Sequence, residues 1–435
     1  MKRFLSRVLP LLLSFGLIFN CTGCSTVLVL AGKARENSEA SSSVISESSA
    51  SSGVISTPVP TEDGDLRAFY TDVANAESVT VMVYMIGSDL ESEDGSATDD
   101  LLEMANAALS ENVHLVLQTG GTETWWNDVC TDDESERFVI ENGDMTLLQS
   151  LGSMNMTDAD TLSDFIRFSA ESYPADRYEL ILWDHGGGTM TGFGYDELYE
   201  DTSLTLSSLS TALYNGGVQF DFIGFDACLM ATAEVAYALD PYADYLIASE
   251  ESEPGEGWAY KNWLTMLAED PAVPTAELGK KLADDFLEAY IFADMPTLSV
   301  LDLRYVPELY AALESYWGSA YTALQSGSYG AFSQVRNNVR EFGDNEYDQV
   351  DLSDLATLTK QSLSLGTEDD VQAAVQNMVV YNVTYEKSAA GIAVYFPCLW
   401  PDYYGDTRFE MTCVGFPESV SYTHLRAHET KAISY

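Results

Sequence analysis

Two short segments of the chain place reactive side chains directly after runs of apolar residues. The run ELILW leads through an aspartate into His185 and a group of glycines, and the run FIGF leads into Asp226 and Cys228. Each run has the length and apolar character of a buried strand. Because the carboxyl ends of parallel strands meet at one edge of a sheet, we expect these side chains to lie together. A thiol beside an imidazole supplies a nucleophile and a proton carrier.

The positions of the other three histidines favour the pairing of His185 with Cys228. His114 lies inside an apolar strand pattern, and His424 and His428 lie in the C-terminal tail, so only His185 is well placed. Cys228 is predicted to stand where a helix begins, and the helix dipole favours a thiolate there. Taken singly, a free cysteine is often a small buried hydrophobe and a histidine beside glycines can simply finish a turn. Their occurrence at two strand ends favours catalysis.

The flanking sequence predicts the elements that would hold this pair. Buried apolar runs alternate with helical patterns, which is typical of an α/β fold whose parallel sheet is covered by helices on both faces. The pair Asn142-Gly143 between two short runs indicates a hairpin. The predicted strands cover 79–86, 113–118, 178–183, 220–225 and 245–248, and the predicted helices cover 158–172 and 229–239.

Helical patterns dominate the last third of the chain. An apolar strand at 298–303 is expected to extend the main sheet, and the residues after it are expected to form a smaller C-terminal subdomain with a strand at 391–396. The helical patterns cover 276–292, 306–324 and 371–381.

The N-terminus is predicted to be an export signal. Basic residues precede the apolar run 8–19, which is the order of a secretory signal peptide. The segment NCTGCS that follows resembles a bacterial lipobox, in which the cysteine after the cut receives diacylglycerol. Cys24 fits because a small glycine precedes it, although Cys21 stands where the usual motif has leucine; Cys21 itself fits less well. We expect a lipid anchor at Cys24 and a location on the bacterial cell surface, with an ordinary secretory signal as the alternative.

These observations divide the chain into five parts. The last part shows no helix or strand period and resembles a translated sequencing adaptor, so we expect its histidines to belong to no metal site. The parts are a signal peptide at 1–23, a Ser-rich tether at 24–75, a catalytic domain at 76–305, the C-terminal subdomain at 306–420 and a doubtful tail at 421–435.

Composition excludes some partners. The chain has 20 Lys plus Arg against 69 Asp plus Glu, a formal net charge of −49. Nucleic-acid binding draws on basic side chains that neutralise phosphates, so nucleic acid is not an expected partner. Hydrophobic residues make up 46% of the chain, which is enough for a folded core. We expect a monomer that contacts the membrane only through its lipid.

Six stretches of the sequence resemble the clostripain-like cysteine peptidases, a family in the caspase and gingipain clan. They are VMVYMIGSDLE, LILWDHGGG, LTLSSLSTAL, DFIGFDACLMATAEVAYAL, YLIASEESEPGEGW and AAGIAVYFP, and they follow in family order over most of residues 78–397.

The resemblance implies a caspase-like fold in which His185 and Cys228 form the catalytic dyad. It implies oxyanion donors at the backbone N–H groups of Gly186 and Cys228, and it matches Asp226 to a carboxylate in the pocket for the side chain before the scissile bond. An unpaired carboxylate there would select Arg, with Lys second. The other reading of Asp226 is a cap on the following helix.

Several points stay open at the level of sequence. Acidic residues after the first strand, Asp89 and Glu91, and after the strand that ends at Ala248 could add a second pocket carboxylate or hold Ca²⁺, although most are expected on a solvated face. No cofactor is expected to be required, and calcium is left open because no EF-hand spacing occurs. No Lys or Arg occurs between 186 and 227, so an enzyme of basic specificity could not cut itself there.

Two other functional classes fit the sequence less well than a cysteine peptidase. A non-catalytic peptide-binding lipoprotein could keep the fold, but it would have no need of both His185 and Cys228. Other hydrolase classes are disfavoured because the chain lacks a Gly-x-Ser-x-Gly elbow and a His-Glu-x-x-His helix.

Overall fold

The computed structural model of the chain describes residues 66–199, 202–290, 296–385, 387–400 and 402–417. The predicted signal peptide, Cys24 and the doubtful tail lie outside these ranges. Within them, none of the helices is long and apolar enough to cross a membrane.

Nine strands form a central sheet and three form a small second sheet. In the central sheet the order is β11-β8-β7-β6-β5-β1-β2-β3-β4, and the five strands from β7 to β2 in that order are parallel. The strands are β1 (Val79–Ile86), β2 (Val113–Gly120), β3 (Ser135–Glu141), β4 (Asp144–Gly152), β5 (Arg177–Trp183), β6 (Phe220–Asp226), β7 (Ala243–Ala248), β8 (Thr297–Asp302), β9 (Glu341–Phe342), β10 (Gln349–Asp351), β11 (Val379–Thr384) and β12 (Ala393–Tyr395).

Helices cover both faces of the central sheet, as predicted, and the α/β fold class is confirmed. The described helices are α1 (Ser88–Ser92), α2 (Ser96–Ala105), α3 (Ala159–Ser172), α4 (Gly188–Thr191), α5 (Leu206–Gly216), α6 (Ala233–Leu239), α7 (Tyr260–Glu269), α8 (Thr275–Ala289), α9 (Val306–Gln325), α10 (Tyr329–Asn338), α11 (Leu352–Ser362), α12 (Glu368–Met378) and α13 (Tyr404–Cys413), with 3₁₀ turns at Val73–Asn75, Leu303–Tyr305 and Gly343–Asn345.

The sequence of β1 explains the two-sided core. All eight of its residues are apolar or β-branched and buried, which suits a central parallel strand. Successive side chains point to opposite faces: Val81 and Val83 join the core formed with α2, α7 and α8, whereas Met82 and Tyr84 join the core formed with α3, α5 and α6. The sheet is therefore fixed between two apolar layers.

The C-terminal segment is built into the central sheet. The strand predicted at 298–303 does extend that sheet, as β8, and β11 pairs antiparallel with β8. The helix predicted to run to residue 381 ends at Met378 instead, because the β-branched Val379 begins β11. The three-stranded sheet β12-β10-β9 meets the main body through a bridge between Thr232 and Ala393.

The first described residues pack at the amino-terminal end of β7. Arg67 donates to Asp240 at 3.1 Å and to Asp244 at 2.7 Å, and the ring of Phe69 stacks on Tyr245. These residues belong to the stretch that the sequence analysis assigns to the tether. The chain thus joins the body at the sheet edge opposite the carboxyl ends of the strands.

Candidate active site

The register between β5 and β6 brings the two predicted reactive residues together. Trp183 pairs with Asp226, and the N–H of Asp184 donates to the Asp226 carbonyl oxygen at 3.2 Å. His185 lies two residues after Trp183 and Cys228 lies two residues after Asp226, so both lie at the same edge of the sheet. The main chains of Gly186 and Cys228 are in direct contact, since a Cβ built on Gly186 would overlap the Cys228 carbonyl oxygen.

The imidazole of His185 is held by a carboxylate from α1. Its Nε2 lies 2.6 Å from Oδ1 of Asp89, and its ring packs near that of Tyr195. Burial alone would lower the pKa of His185, but the Asp89 hydrogen bond and the charges of Asp184, Asp89 and Cys228 outweigh it and raise the pKa to about 9. The imidazole is therefore cationic at neutral pH, which favours a thiolate on Cys228.

The thiol of Cys228 accepts a hydrogen bond from a backbone N–H of a loop, and not from the first turn of a helix. The prediction of a helix that begins at Leu229, directly after Cys228, is wrong, because α6 begins at Ala233 and the Thr232 side chain caps it by accepting from Val235 N–H. The N–H of Glu253 donates to Cys228 Sγ at 3.2 Å. This hydrogen bond replaces the expected helix dipole as the local stabiliser of a thiolate.

Asp226 belongs to a cluster of three buried carboxyl groups, Asp100, Asp226 and Glu253, which is called here the buried acidic pocket. Its Oδ2 accepts from the Tyr260 hydroxyl at 2.7 Å and from Trp258 N–H at 3.1 Å. Within the described ranges, no Lys or Arg side chain forms an ion pair with any of the three carboxyl groups. The three carboxyl groups therefore have no cationic partner within the described part of the chain.

The electrostatics of the buried acidic pocket follow from this lack of compensation. Burial raises the pKa of Asp226 to about 7, even though the Tyr260 and Trp258 hydrogen bonds lower it. Burial and the charge of Asp226 raise the pKa of Asp100 and Glu253 well above the usual range of a carboxyl group. A cationic side chain that enters would release protons from these groups.

The loop after β7 is held in place by the C-terminal segment. Glu250 accepts from Gly391 N–H at 2.7 Å, and Glu251 accepts from Gly343 N–H at 2.9 Å and from Arg340 at 3.0 Å. The expectation that the acidic residues here form a solvated face is wrong for Glu250, Glu251 and Glu253, which are all buried. These contacts fix the loop that carries the Glu253 N–H to Cys228.

The sequence of the chain matches the model of the family described as the Clostripain family, peptidase C11, over residues 83–398. The chain belongs to the clostripain family. The resemblance noted in the sequence is thereby confirmed, and the match includes β5, β6 and the loop after β7.

Two kinds of relative accompany this assignment. Clostripain from Hathewaya histolytica is 29% identical over 218 residues, which are 42% of this chain and 41% of that protein, so the chain aligns with less than half of this curated relative. The fold is similar to an inactive zymogen C11 protease from Parabacteroides distasonis, with a TM-score of 0.60, 22% identity and coverage of 77% of this chain and 97% of that one. It is also similar to a secreted C11 cysteine protease from Bacteroides thetaiotaomicron in complex with an irreversible peptide inhibitor, with a TM-score of 0.59, 18% identity and coverage of 78% and 98%.

The clostripain-family site contains two acidic residues whose positions were not expected. Asp89 was considered for the pocket or for calcium, and it contacts His185 instead. Asp100 was not considered, and Trp183 Nε1 donates to its Oδ2 at 2.6 Å beside Asp226. Asp100 follows β1 by more than a helical turn, so nothing in its local sequence pattern points to the pocket. In the described part of the chain, no group of three or more acidic, histidine or cysteine residues is arranged to hold a metal ion.

Gly186→Ala is expected to destabilise this clostripain-family chain. The new Cβ would overlap the Cys228 carbonyl oxygen, and overpacking against backbone costs about 1–3 kcal/mol. Thermal unfolding at one pH should show a midpoint lower by roughly 1–4 °C. Gly318→Ala is the matched control, because Gly318 lies exposed in α9 with no atom within 4 Å of the added Cβ. Equal midpoints for the two variants would contradict the close contact.

Proposed function

We propose that the chain is a cysteine endopeptidase that cleaves after basic residues, Arg first and Lys second, with His185 and Cys228 as its dyad. The observation that carries the proposal is the position of the Cys228 thiol, between a cationic imidazole and a buried acidic pocket with no cation of its own. The first feature activates a nucleophile, and the second selects the side chain that precedes the scissile bond.

The reaction proceeds through an acyl-enzyme. The Cys228 thiolate attacks the peptide carbonyl carbon, forming a carbon–sulfur bond and a tetrahedral oxyanion. His185 gives its proton to the leaving amine as the carbon–nitrogen bond breaks. A water molecule then attacks the thioester, His185 takes its proton, and the carboxylic acid leaves as the thiol is restored.

The oxyanion is assigned to the backbone N–H groups of Gly186 and Cys228. Gly186 is buried and lies opposite Phe193 in an isolated β-bridge. The hydrogen bonds of this bridge are donated by the N–H groups of Gly187 and Gly194, and not by Gly186. In the portion of the chain that the structure describes, no protein acceptor is found for the Gly186 N–H. A buried N–H without a partner is uncommon, and a donor aimed at a developing negative charge stabilises the transition state.

Specificity is assigned to Asp226, supported by Asp100 and Glu253. A guanidinium presents five donors in a planar fork and suits several carboxylates at once, whereas an ammonium presents a compact charge. This difference accounts for Arg before Lys. Because no Lys or Arg lies between residues 186 and 227, the enzyme is proposed to act without cleavage in that interval.

We also propose that a lipid at Cys24 anchors the protein to the membrane. The tether joins the body beside Asp244, at the start of β7, and the reactive residues lie at the opposite edge of the sheet. A strand of seven residues spans roughly 23 Å. The tether from Cys24 would therefore enter the body at the end of the sheet opposite Cys228.

Reporter peptides test the proposed function. With purified enzyme at pH 7.5, an Arg-amide reporter is expected to be turned over a few-fold faster than a Lys-amide reporter. It should be turned over at least about 100-fold faster than an Ala-amide reporter, since an unfilled charged pocket forfeits several kcal/mol. The assay is run with added Ca²⁺ and with chelator, because calcium dependence stays a prediction. Equal turnover of the Arg and Ala reporters would overturn the specificity.

A further inference from the structure

The carboxylate of Asp89 makes a contact that the dyad alone does not require. Its Oδ1 lies 2.6 Å from His185 Nε2, so the second ring nitrogen of His185 remains for the proton exchanged with Cys228. A base whose ring is oriented by a third group performs better than a free one. We propose that Asp89 is a positioning residue, which orients the His185 imidazole toward Cys228 and keeps it protonated. The inference rests on the proposed function for its kinetic consequence only.

The local fold holds Asp89 rigidly at this position. The chain leaves β1 through Gly87, whose N–H donates to the Gly120 carbonyl at 2.8 Å, and Ser88 N–H donates to the Gly121 carbonyl at 3.1 Å. Ser88 adopts a left-handed conformation with φ of 49°, which turns the chain sharply into α1. These bonds to the end of β2 set the direction of α1. Asp89, in the first turn of α1, is therefore aimed at His185 before any substrate binds.

The titratable groups that face His185 come from four places. Asp89 comes from α1, Asp184 from the end of β5, Cys228 from the turn after β6, and the Tyr195 ring packs from the segment after α4. Asp184 does not contact the ring through a hydrogen bond; its Oδ2 accepts from Tyr195 N–H. Burial raises the pKa of Asp184 to about 7, so its charge is partial at neutral pH. The Asp89 carboxylate is the one that remains charged: burial raises its pKa, but the hydrogen bond and the charge of His185, together with local hydrogen bonds at Asp89 and Ser88, outweigh burial and lower it.

Asp89→Asn tests the proposal. The amide keeps the size of the side chain and removes its charge, so the pKa of His185 should fall from about 9 toward its ordinary value of 6.5. With the Arg-amide reporter, kcat is expected to drop about 100-fold, the cost of a misplaced catalytic group, while KM stays within about twofold. In a plot of kcat against pH, the basic limb should shift to lower pH by more than one unit. Asp89→Glu restores the charge and should return the limb to near pH 9.

A second measurement does not depend on turnover. The rate at which iodoacetamide alkylates Cys228, followed by mass spectrometry of its peptide, reports the thiolate directly. At pH 7, Asp89→Asn should alkylate about tenfold more slowly than wild type, because a neutral imidazole no longer stabilises the thiolate. Glu93→Gln is the matched control: Glu93 is exposed at the end of α1, and its loss removes one charge without touching His185.

The alkylation and turnover measurements together distinguish a failure of the role of Asp89 from a failure of the proposed function. An alkylation profile that changes in Asp89→Asn, in a protein that cleaves no reporter, would support Asp89 and count against the proposed function. Profiles for alkylation and kcat that match Glu93→Gln would overturn the role of Asp89 and leave the peptidase intact. Thermal unfolding of each variant shows whether a loss arises from the site or from the fold.

Discussion

Cys228→Ala is expected to lower kcat/KM for the Arg-amide reporter by at least about 10⁴-fold. Alanine provides no nucleophile, so the thioester cannot form, and the residual rate comes from substrate binding and oxyanion stabilisation alone. The fold should survive the change, because alanine is smaller than cysteine and Cys228 lies buried in a turn, where its thiol contacts the main chain of Glu253. Single-turnover assays at high enzyme concentration give the sensitivity that such a loss requires.

A second cysteine variant shows whether the loss is specific. Cys413 is an exposed free thiol in α13, and Cys413→Ala should retain the wild-type rate and its inhibition by alkylating agents. Buried Cys130 should resist alkylation at neutral pH, because burial raises its pKa to about 12. Thiol-dependent turnover that persists in Cys228→Ala would mean that another residue is the nucleophile.

The strand ends were predictable because burial leaves a direct trace in the sequence. A central parallel strand is covered on both faces and so reads as a nearly continuous apolar run, as in β1 and in the last four residues of β5. A polar residue that interrupts the run then marks the strand end, which placed His185 and Cys228 at one edge before any coordinates. The register between β5 and β6 agrees with that placement.

The start of α6 was missed although a local signal exists. The prediction extended the helix pattern back to residue 229, but Thr232 accepts from Val235 N–H and caps the helix, and a threonine is a preferred cap. The four residues before it form a turn in which Leu229 has a φ of 68°. That turn lets the Cys228 thiol meet the loop after β7.

The acidic residues could not have been placed from the sequence. Glu250 accepts from Gly391 N–H, and Glu251 accepts from Gly343 N–H, which are partners far along the chain. A buried carboxylate is tolerated where it accepts such backbone hydrogen bonds, and the partners are known only once the chain has folded. The same holds for Asp89, whose contact with His185 depends on the turn at Ser88.

Asp226→Asn is expected to lower kcat/KM for the Arg-amide reporter by about 100- to 1000-fold, the cost of removing one partner of a buried ion pair. Turnover of the Ala-amide reporter should change little, so the preference for Arg collapses. In wild type, KM for the Arg reporter should also rise as the pH falls below about 7, because Asp226 then takes up a proton and no longer pairs with the guanidinium. Asp99→Asn, which removes an exposed charge next to the pocket residue Asp100, should leave both reporters near the wild-type rate.

The same substitution should stabilise the empty enzyme at high pH. The pKa of Asp226 is raised from 3.8 to about 7 by folding, so its carboxyl group favours the folded state at low pH and this advantage is lost as the pH rises from about 4 through 7. An asparagine carries no charge to bury, and its amide oxygen can still accept from Tyr260 and Trp258. Measured in a Cys228→Ala background to prevent self-digestion, Asp226→Asn should raise the free energy of unfolding at pH 8 by on the order of 4 kcal/mol and have little effect at pH 4. Lower stability at pH 8, together with a retained preference for Arg, would identify Asp226 as a structural residue that holds Trp258 and Tyr260, and would move the specificity to other carboxylates.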